Sequence, residues 1–182
     1  KARISSFDKV GVIGAGGGLG IHMLKMLKLN NISAIGIDTK TEKFNTCNEN
    51  GAEFSVSPME NDLKNKIADF SKSNDLDVVI DFVSSKSSLE LGCSILGKGG
   101  RLVTLGGSGE QFLANSADML VKELELIGSR YCTKQELKES LDLYARGLIE
   151  PLVSVKTDFD GAEGLHDKIE KGEITGRAGI LI

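Results

Sequence analysis

Two features of the chain could do chemistry. The run Val10-Gly11-Val12-Ile13-Gly14-Ala15-Gly16-Gly17-Gly18-Leu19-Gly20 carries a short apolar stretch into a glycine cluster, and Asp38 closes the next apolar stretch, Ile32 to Ile37. Such a cluster suits a chain that must reverse sharply and bring backbone N–H groups up to a pyrophosphate without interference from Cβ atoms. It also opens a helix whose positive end faces the anion. Gly14, Gly18 and Gly20 fit one spacing used by dinucleotide sites and Gly14, Gly17 and Gly20 fit another, whereas a strict G-x-G-x-x-G fails at Leu19. Asp38 follows the glycines at roughly the 20-residue interval at which a carboxylate accepts hydrogen bonds from the adenosine ribose. A 2′-phosphate there would meet like charge, which favours NAD over NADP. Gly14, Gly16, Gly17, Gly18, Leu19 and Asp38 are thus the expected cofactor contacts of this first unit.

Strands and helices must alternate to position these groups. After the strand Val10 to Ile13, apolar residues from Leu19 to Leu29 predict a helix, and Phe44 and Cys47 share a face of another over Thr41 to Asn50, with Gly51 as its stop. A short strand, Glu53 to Val56, leads to a helix around Asn61 to Phe70. Leu76 to Val83 is β-branched and almost continuously apolar, as in a parallel strand covered on both faces. Further on, a helix from Ser87 to Leu96 ends in the Gly97–Gly100 turn, and strand Arg101 to Leu105 ends in Gly106-Gly107-Ser108-Gly109. Leu124 to Ser129 reads as a sixth strand. Thr133 and Glu136 have capping-box spacing ahead of a helix bearing Leu137, Leu141 and Tyr144. Beyond Pro151 come strand Leu152 to Lys156, a helix from about Gly161 to Lys171 and strand Ala178 to Ile182, which look appended to the sheet.

The expectation is an α/β protein of Rossmann type, a doubly wound six-stranded parallel sheet over residues 1–150 with a C-terminal return segment over 151–182. In such a sheet ligands sit beyond the carboxyl ends of the strands, so the loops after Asp38, Phe82 and Leu105 should converge on the glycine turn.

Composition narrows the function classes. With 22 Lys and Arg against 26 Asp and Glu, the net charge is −4 and no basic face for nucleic acid is expected. No apolar run reaches the roughly 20 residues that cross a bilayer, and no signal-peptide pattern opens the chain, so a cytoplasmic protein without a membrane partner is expected. Cys47, Cys93 and Cys132 lack the spacing of a disulfide framework or a zinc knuckle and read as small buried hydrophobes. His22 and His166 read as ordinary helix residues, and no metal site is expected within the chain. Lys1 suggests that a segment precedes the sequence.

The order of these motifs resembles the cofactor-binding half of the medium-chain dehydrogenase/reductase family, the zinc-dependent alcohol dehydrogenases and their relatives, across essentially the whole chain. Val10 to Gly20 is similar to the family's glycine loop in its one-residue-longer form, and Ile35 to Phe44 to its adenosine-binding stretch, followed by Asn50-Gly51-Ala52-Glu53. The resemblance implies that Asp38 holds the ribose hydroxyls with help from Lys43, against the competing reading of Lys43 as a solvated helix charge. Val79 to Val83 and Gly99 to Gly106 resemble the strands that flank the nicotinamide, which makes Phe82, Val83, Leu105 and Gly106 candidate contacts. Gly172 to Ile182 resembles the C-terminal return, from which Arg177 would reach the cofactor, a plain surface charge being the alternative.

What the resemblance implies is an NAD-binding domain that supports hydride transfer between an alcohol or carbonyl substrate and nicotinamide. The family's zinc ligands and proton relay belong to an amino-terminal catalytic half outside this sequence, so no catalytic or metal-binding residue carries over. A small-molecule substrate would be met through that half. Homo-oligomers would form through the sheet edge at Leu124 to Ser129. A free-standing NAD-sensing module, a zinc-free quinone or enoyl reductase, and a flavodoxin-like nucleotide-binding domain stay open as other readings.

Overall fold

The computed structural model describes residues 1–73 and 75–182. Six parallel strands form one sheet: β1 (Val10–Ile13), β2 (Ala34–Ile37), β3 (Ser55–Val56), β4 (Leu76–Asp81), β5 (Leu96–Thr104) and β6 (Glu125–Gly128). Their spatial order is β3-β2-β1-β4-β5-β6, so the winding reverses between β1 and β4. That reversal opens a crevice at the carboxyl end of β1, where an open α/β sheet receives its ligand.

Both faces of the sheet are covered, which explains why β1 is apolar throughout. Val10, Val12, Val78 and Ile80 pack with Ile21, Leu24 and Leu27 of α1 (Gly18–Leu29) and Cys47 of α2 (Phe44–Glu49). Ile13, Ile35, Ile37 and Val79 pack on the other face against Leu63, Ile67 and Phe70 of α3 (Leu63–Ser71) and Leu89 of α4 (Lys86–Ser94). Gly11 has no side chain because β4 leaves no room for one: a Cβ there would lie 2.7 Å from Leu76 Cδ1.

Cys132, expected as a buried residue, is exposed, and in its elements the structure departs from the sequence reading at four places. Gly97–Gly100 is not a turn ahead of the strand but an excursion inside β5: Leu76 pairs with Leu96, and the next pairing, Val78 with Arg101, comes only after the glycines. β4 stops at Asp81, and Phe82 to Ser85 turn toward the crevice. A short helix, α5 (Ser116–Lys122), was not expected; Asn115 caps it by accepting from the N–H groups of Ala117 and Asp118. Finally, the return elements are not appended to the main sheet. After α6 (Lys134–Ala145), β7 (Val153–Thr157) and β8 (Arg177–Ile180) pair with each other in a separate parallel ladder, bridged by α7 (Ala162–Glu170). Among the described residues, no helix is long and apolar enough to cross a membrane.

Candidate functional site: a cleft at the switch point

The cleft is built on the turn from β1 to α1. Gly14 takes φ +75°, a left-handed conformation natural to glycine, and its N–H donates to the Ile37 carbonyl at 2.9 Å, tying the turn to the end of β2. Gly17 caps α1 without any side-chain hydrogen bond, and no acidic residue lies in the first turn. Backbone donors at this end are therefore free of a carboxylate competitor and face the crevice with the positive end of the helix dipole. Gly20 lies so near the turn that a Cβ would come within 2.7 Å of the Ala15 backbone. Close contact of helix and turn is possible only without a side chain.

Asp38 stands just beyond β2 and braces the turn. Its Oδ2 accepts from Gly16 N–H at 2.8 Å and its Oδ1 from Lys40 N–H at 3.0 Å. Each oxygen keeps a lone pair for a ligand hydroxyl. Lys43 is not a solvated charge: it is only 5 % exposed, and its Nζ donates to the Ile174 carbonyl at 2.7 Å. Arg177 is exposed, yet its side chain does not extend away from the cleft. It lies over the first turn of α1, with its Nε 2.7 Å from where a Gly18 Cβ would be.

Two adjoining hollows share Gly14, Asp38 and Val83. One, of about 330 Å³, is lined by Gly17, Gly18, Leu19, Lys43, Phe82 and Arg177. The other, of about 290 Å³, is mainly apolar, with Ile13, Ile37, Pro58, Met59 and Leu91 around Thr39, Ser85, Ser87 and Ser88. The two hollows thus meet at Asp38, one beside the N-terminus of α1 and the other mainly apolar. A larger hollow of about 460 Å³ lies elsewhere, between α1 and residues 147–150. Its Lys25 and Lys28 ammonium groups are already committed to the carbonyls of Glu150 and Glu49.

Of the candidate residues, Gly14, Gly17, Gly18, Leu19, Asp38, Lys43, Phe82, Val83 and Arg177 share the hollow beside the N-terminus of α1. Gly16 supports it from below, through its bond to Asp38. Gly106 serves the neighbouring loop by donating to Ser84 Oγ at 2.9 Å. Leu105 points elsewhere, lining a separate cavity with Ile4, Met23, Ile80 and Val103. Sequence reasoning missed Pro58, Met59 and Leu91 of the apolar hollow, and also Asp81. Asp81 is fully buried; its carboxylate accepts from Val83 N–H, Ser84 N–H and Ser88 Oγ at 2.7–3.0 Å and so fixes the turn carrying Phe82 and Val83. An aspartate directly after the apolar run Val78-Val79-Ile80 is the available signal. Cys47 lies beneath the site; burial, with the Asp38 charge adding to it, pushes its thiol up to about 11.

Among the described residues, no three His, Cys, Asp or Glu side chains gather as a metal site. These residues do not fit a zinc centre.

Comparison with known proteins agrees with this geometry. A model of the zinc-binding dehydrogenase family matches residues 18–146. An NAD-dependent alcohol dehydrogenase of Sulfolobus acidocaldarius is 28% identical over 179 residues, 97% of this chain and 51% of that protein. An acryloyl-coenzyme A reductase of Metallosphaera sedula is 27% identical over 180 residues, 96% of this chain and 52% of its own length. The crystal structure of an alcohol dehydrogenase from Aeropyrum pernix superposes with a TM-score of 0.87 at 26% identity, covering 97% of this chain and 50% of that one. The chain spans about half the length of the curated relatives it matches. A family match over most of the chain, together with a glycine turn, aspartate and strand order of the dinucleotide-binding type, establishes that this chain belongs to the zinc-binding dehydrogenase family.

Proposed function

We propose that this chain is the NAD-binding half of an oxidoreductase that moves hydride between an alcohol or carbonyl substrate and nicotinamide, with residues 151–182 as its return segment. The observation that carries the reading is Asp38, braced on the glycine turn with a backbone N–H donor on each oxygen, between an apolar slot that would take a flat ring and a hollow lined by Arg177. Asp38 would accept from the adenosine ribose, the first turn of α1 and Arg177 would hold the pyrophosphate, and Phe82 and Val83 would flank the nicotinamide end. The bound dinucleotide supplies the hydride acceptor or donor. This chain's residues bind and orient it.

Calorimetric titration with NAD and NADP tests the proposal. NAD should bind more tightly than NADP, and Asp38→Ala should weaken NAD by about tenfold or more, the effect of losing charge-assisted hydrogen bonds. Equal NAD affinity in wild type and Asp38→Ala would sink the reading.

A reductase of an acyl-coenzyme A substrate is the second reading, supported by the likeness to the acryloyl-coenzyme A reductase of M. sedula. In either case we place the protein in the cytoplasm and expect a homo-oligomer. Support for the latter is β6, the end strand of the sheet, whose outer ladder groups a two-fold mate would satisfy. A monomeric mass by light scattering would exclude it.

A further inference from the structure

We propose that His22 is the positioning residue for Arg177, an inference that rests on the dinucleotide site described above. His22 lies on α1, one turn beyond the glycines, and its two ring nitrogens are both engaged. Nδ1 meets the Gly18 carbonyl at 2.5 Å, and Leu152 N–H meets Nε2 at 3.2 Å. A carbonyl only accepts and an amide only donates, so Nδ1 donates to Gly18 and Nε2 accepts from Leu152.

From Leu152 the connection continues. The Leu152 carbonyl accepts from Arg177 N–H at 2.8 Å, and the Arg177 side chain returns to lie over Gly18. Gly18, His22, Leu152 and Arg177 thus form a closed circuit that begins and ends at the first residue of α1. Gly176 N–H, donating to the Gly16 carbonyl at 3.1 Å, and Lys25 Nζ, donating to the Glu150 carbonyl at 2.7 Å, hold the same segment on either side. Those two bonds hold the segment near the turn. Among the described residues, His22 is the side chain that links the first turn of α1 to Leu152, the residue on which the Arg177 backbone is hydrogen-bonded, so through Leu152 it sets where the guanidinium sits relative to the anion-binding donors. Its contribution is to the pyrophosphate end of the cleft; the ring slot is lined by other residues.

Two isosteric substitutions separate positioning from general structure. Gln in place of His22 carries a side-chain oxygen out to the level of Nε2 and can still accept from Leu152. Asn reaches only to the level of Nδ1 and keeps the Gly18 side alone. Titration with NAD should show His22→Asn weakened by about fivefold, the effect of one lost hydrogen bond, and His22→Gln close to wild type. In an Arg177→Ala background the difference between the Asn and Gln variants should vanish. Amide hydrogen exchange measured without any nucleotide gives an independent readout: Leu152 and Arg177 amides should exchange about fivefold faster in His22→Asn than in His22→Gln. Equal behaviour of the two variants in exchange, or a difference in affinity that persists without the Arg177 side chain, overturns the assignment. Failure of the wild-type chain to bind NAD would overturn the functional reading instead, and the exchange rates would still decide the role of His22.

Discussion

Lys43 donates to the carbonyl of Ile174 at 2.7 Å, joining residues 131 positions apart in the chain. The contact stitches the return segment to the end of β2 beside Asp38. Replacing Lys43 by Met keeps the apolar stem and removes the ammonium group, leaving the Ile174 carbonyl without its charged donor. A loss of about 2 kcal/mol in urea unfolding is expected, with weaker NAD binding. Unchanged stability would mean that the bond contributes nothing net.

Gly20 and Gly107 offer a matched pair. A Cβ on Gly20 would lie 2.7 Å from both Cα and O of Ala15, backbone atoms that cannot swing aside. Gly20→Ala is expected to cost about 3 kcal/mol or to displace the turn and abolish NAD binding. Gly107 has nothing within 4 Å of such an atom, so Gly107→Ala should stay within about 0.5 kcal/mol of wild type. Thermal unfolding of the two variants side by side checks the contrast.

The parts of the site that are legible in the sequence are those whose demands are local. A turn that needs glycine conformations announces itself, and an acid after an apolar strand announces the ribose end. Lys43 and Arg177 were undecided between ligand contact and surface charge because their surroundings come from residues far along the chain, Ile174 for one and Gly18 for the other. Leu105 lines a cavity with Met23 and Ile80, a placement set by the register of β5 on β4, which the sequence does not show. Glycines punctuate a turn and a bulge alike, so the sequence could not tell the two apart. The helix α5 escaped notice because its apolar residues, Met119, Leu120 and Val121, are consecutive, and Leu120 and Val121 are exposed.

Asp81 should be among the residues least tolerant of change. Its carboxylate satisfies Val83 N–H, Ser84 N–H and Ser88 Oγ, and Ser84 is held at φ +55°, an uncommon conformation for a residue with a side chain. Asp81→Ala strips three donors of their acceptor in a buried place, with an expected cost of about 3 kcal/mol or more by chemical denaturation. Because the turn it holds carries Phe82 and Val83 into the cleft, NAD affinity should fall as well. A loss below about 1 kcal/mol would show that water replaces the carboxylate without difficulty.

The three cysteines should separate by reactivity. Cys132 is exposed, Cys93 is partly buried with its thiol pushed up by burial and by Glu90, and Cys47 is fully buried with its thiol raised from 9.0 to about 11. The thiolate is the reactive form, so a thiol reagent at pH 8 should label Cys132 fast, Cys93 slowly and Cys47 only after unfolding. The same shift gives a pH dependence. Folding favours the neutral Cys47 thiol, so its contribution to stability is complete below about pH 9, where the unfolded chain is also protonated. It declines as the unfolded thiol ionises and is fully lost by about pH 11, where the folded one ionises too. Cys47→Ser or Cys47→Ala should remove that alkaline decline, as read from unfolding midpoints at pH 8 and pH 10. Labelling of native Cys47 at the rate of Cys132 would show instead that the floor of the cleft opens readily to solvent.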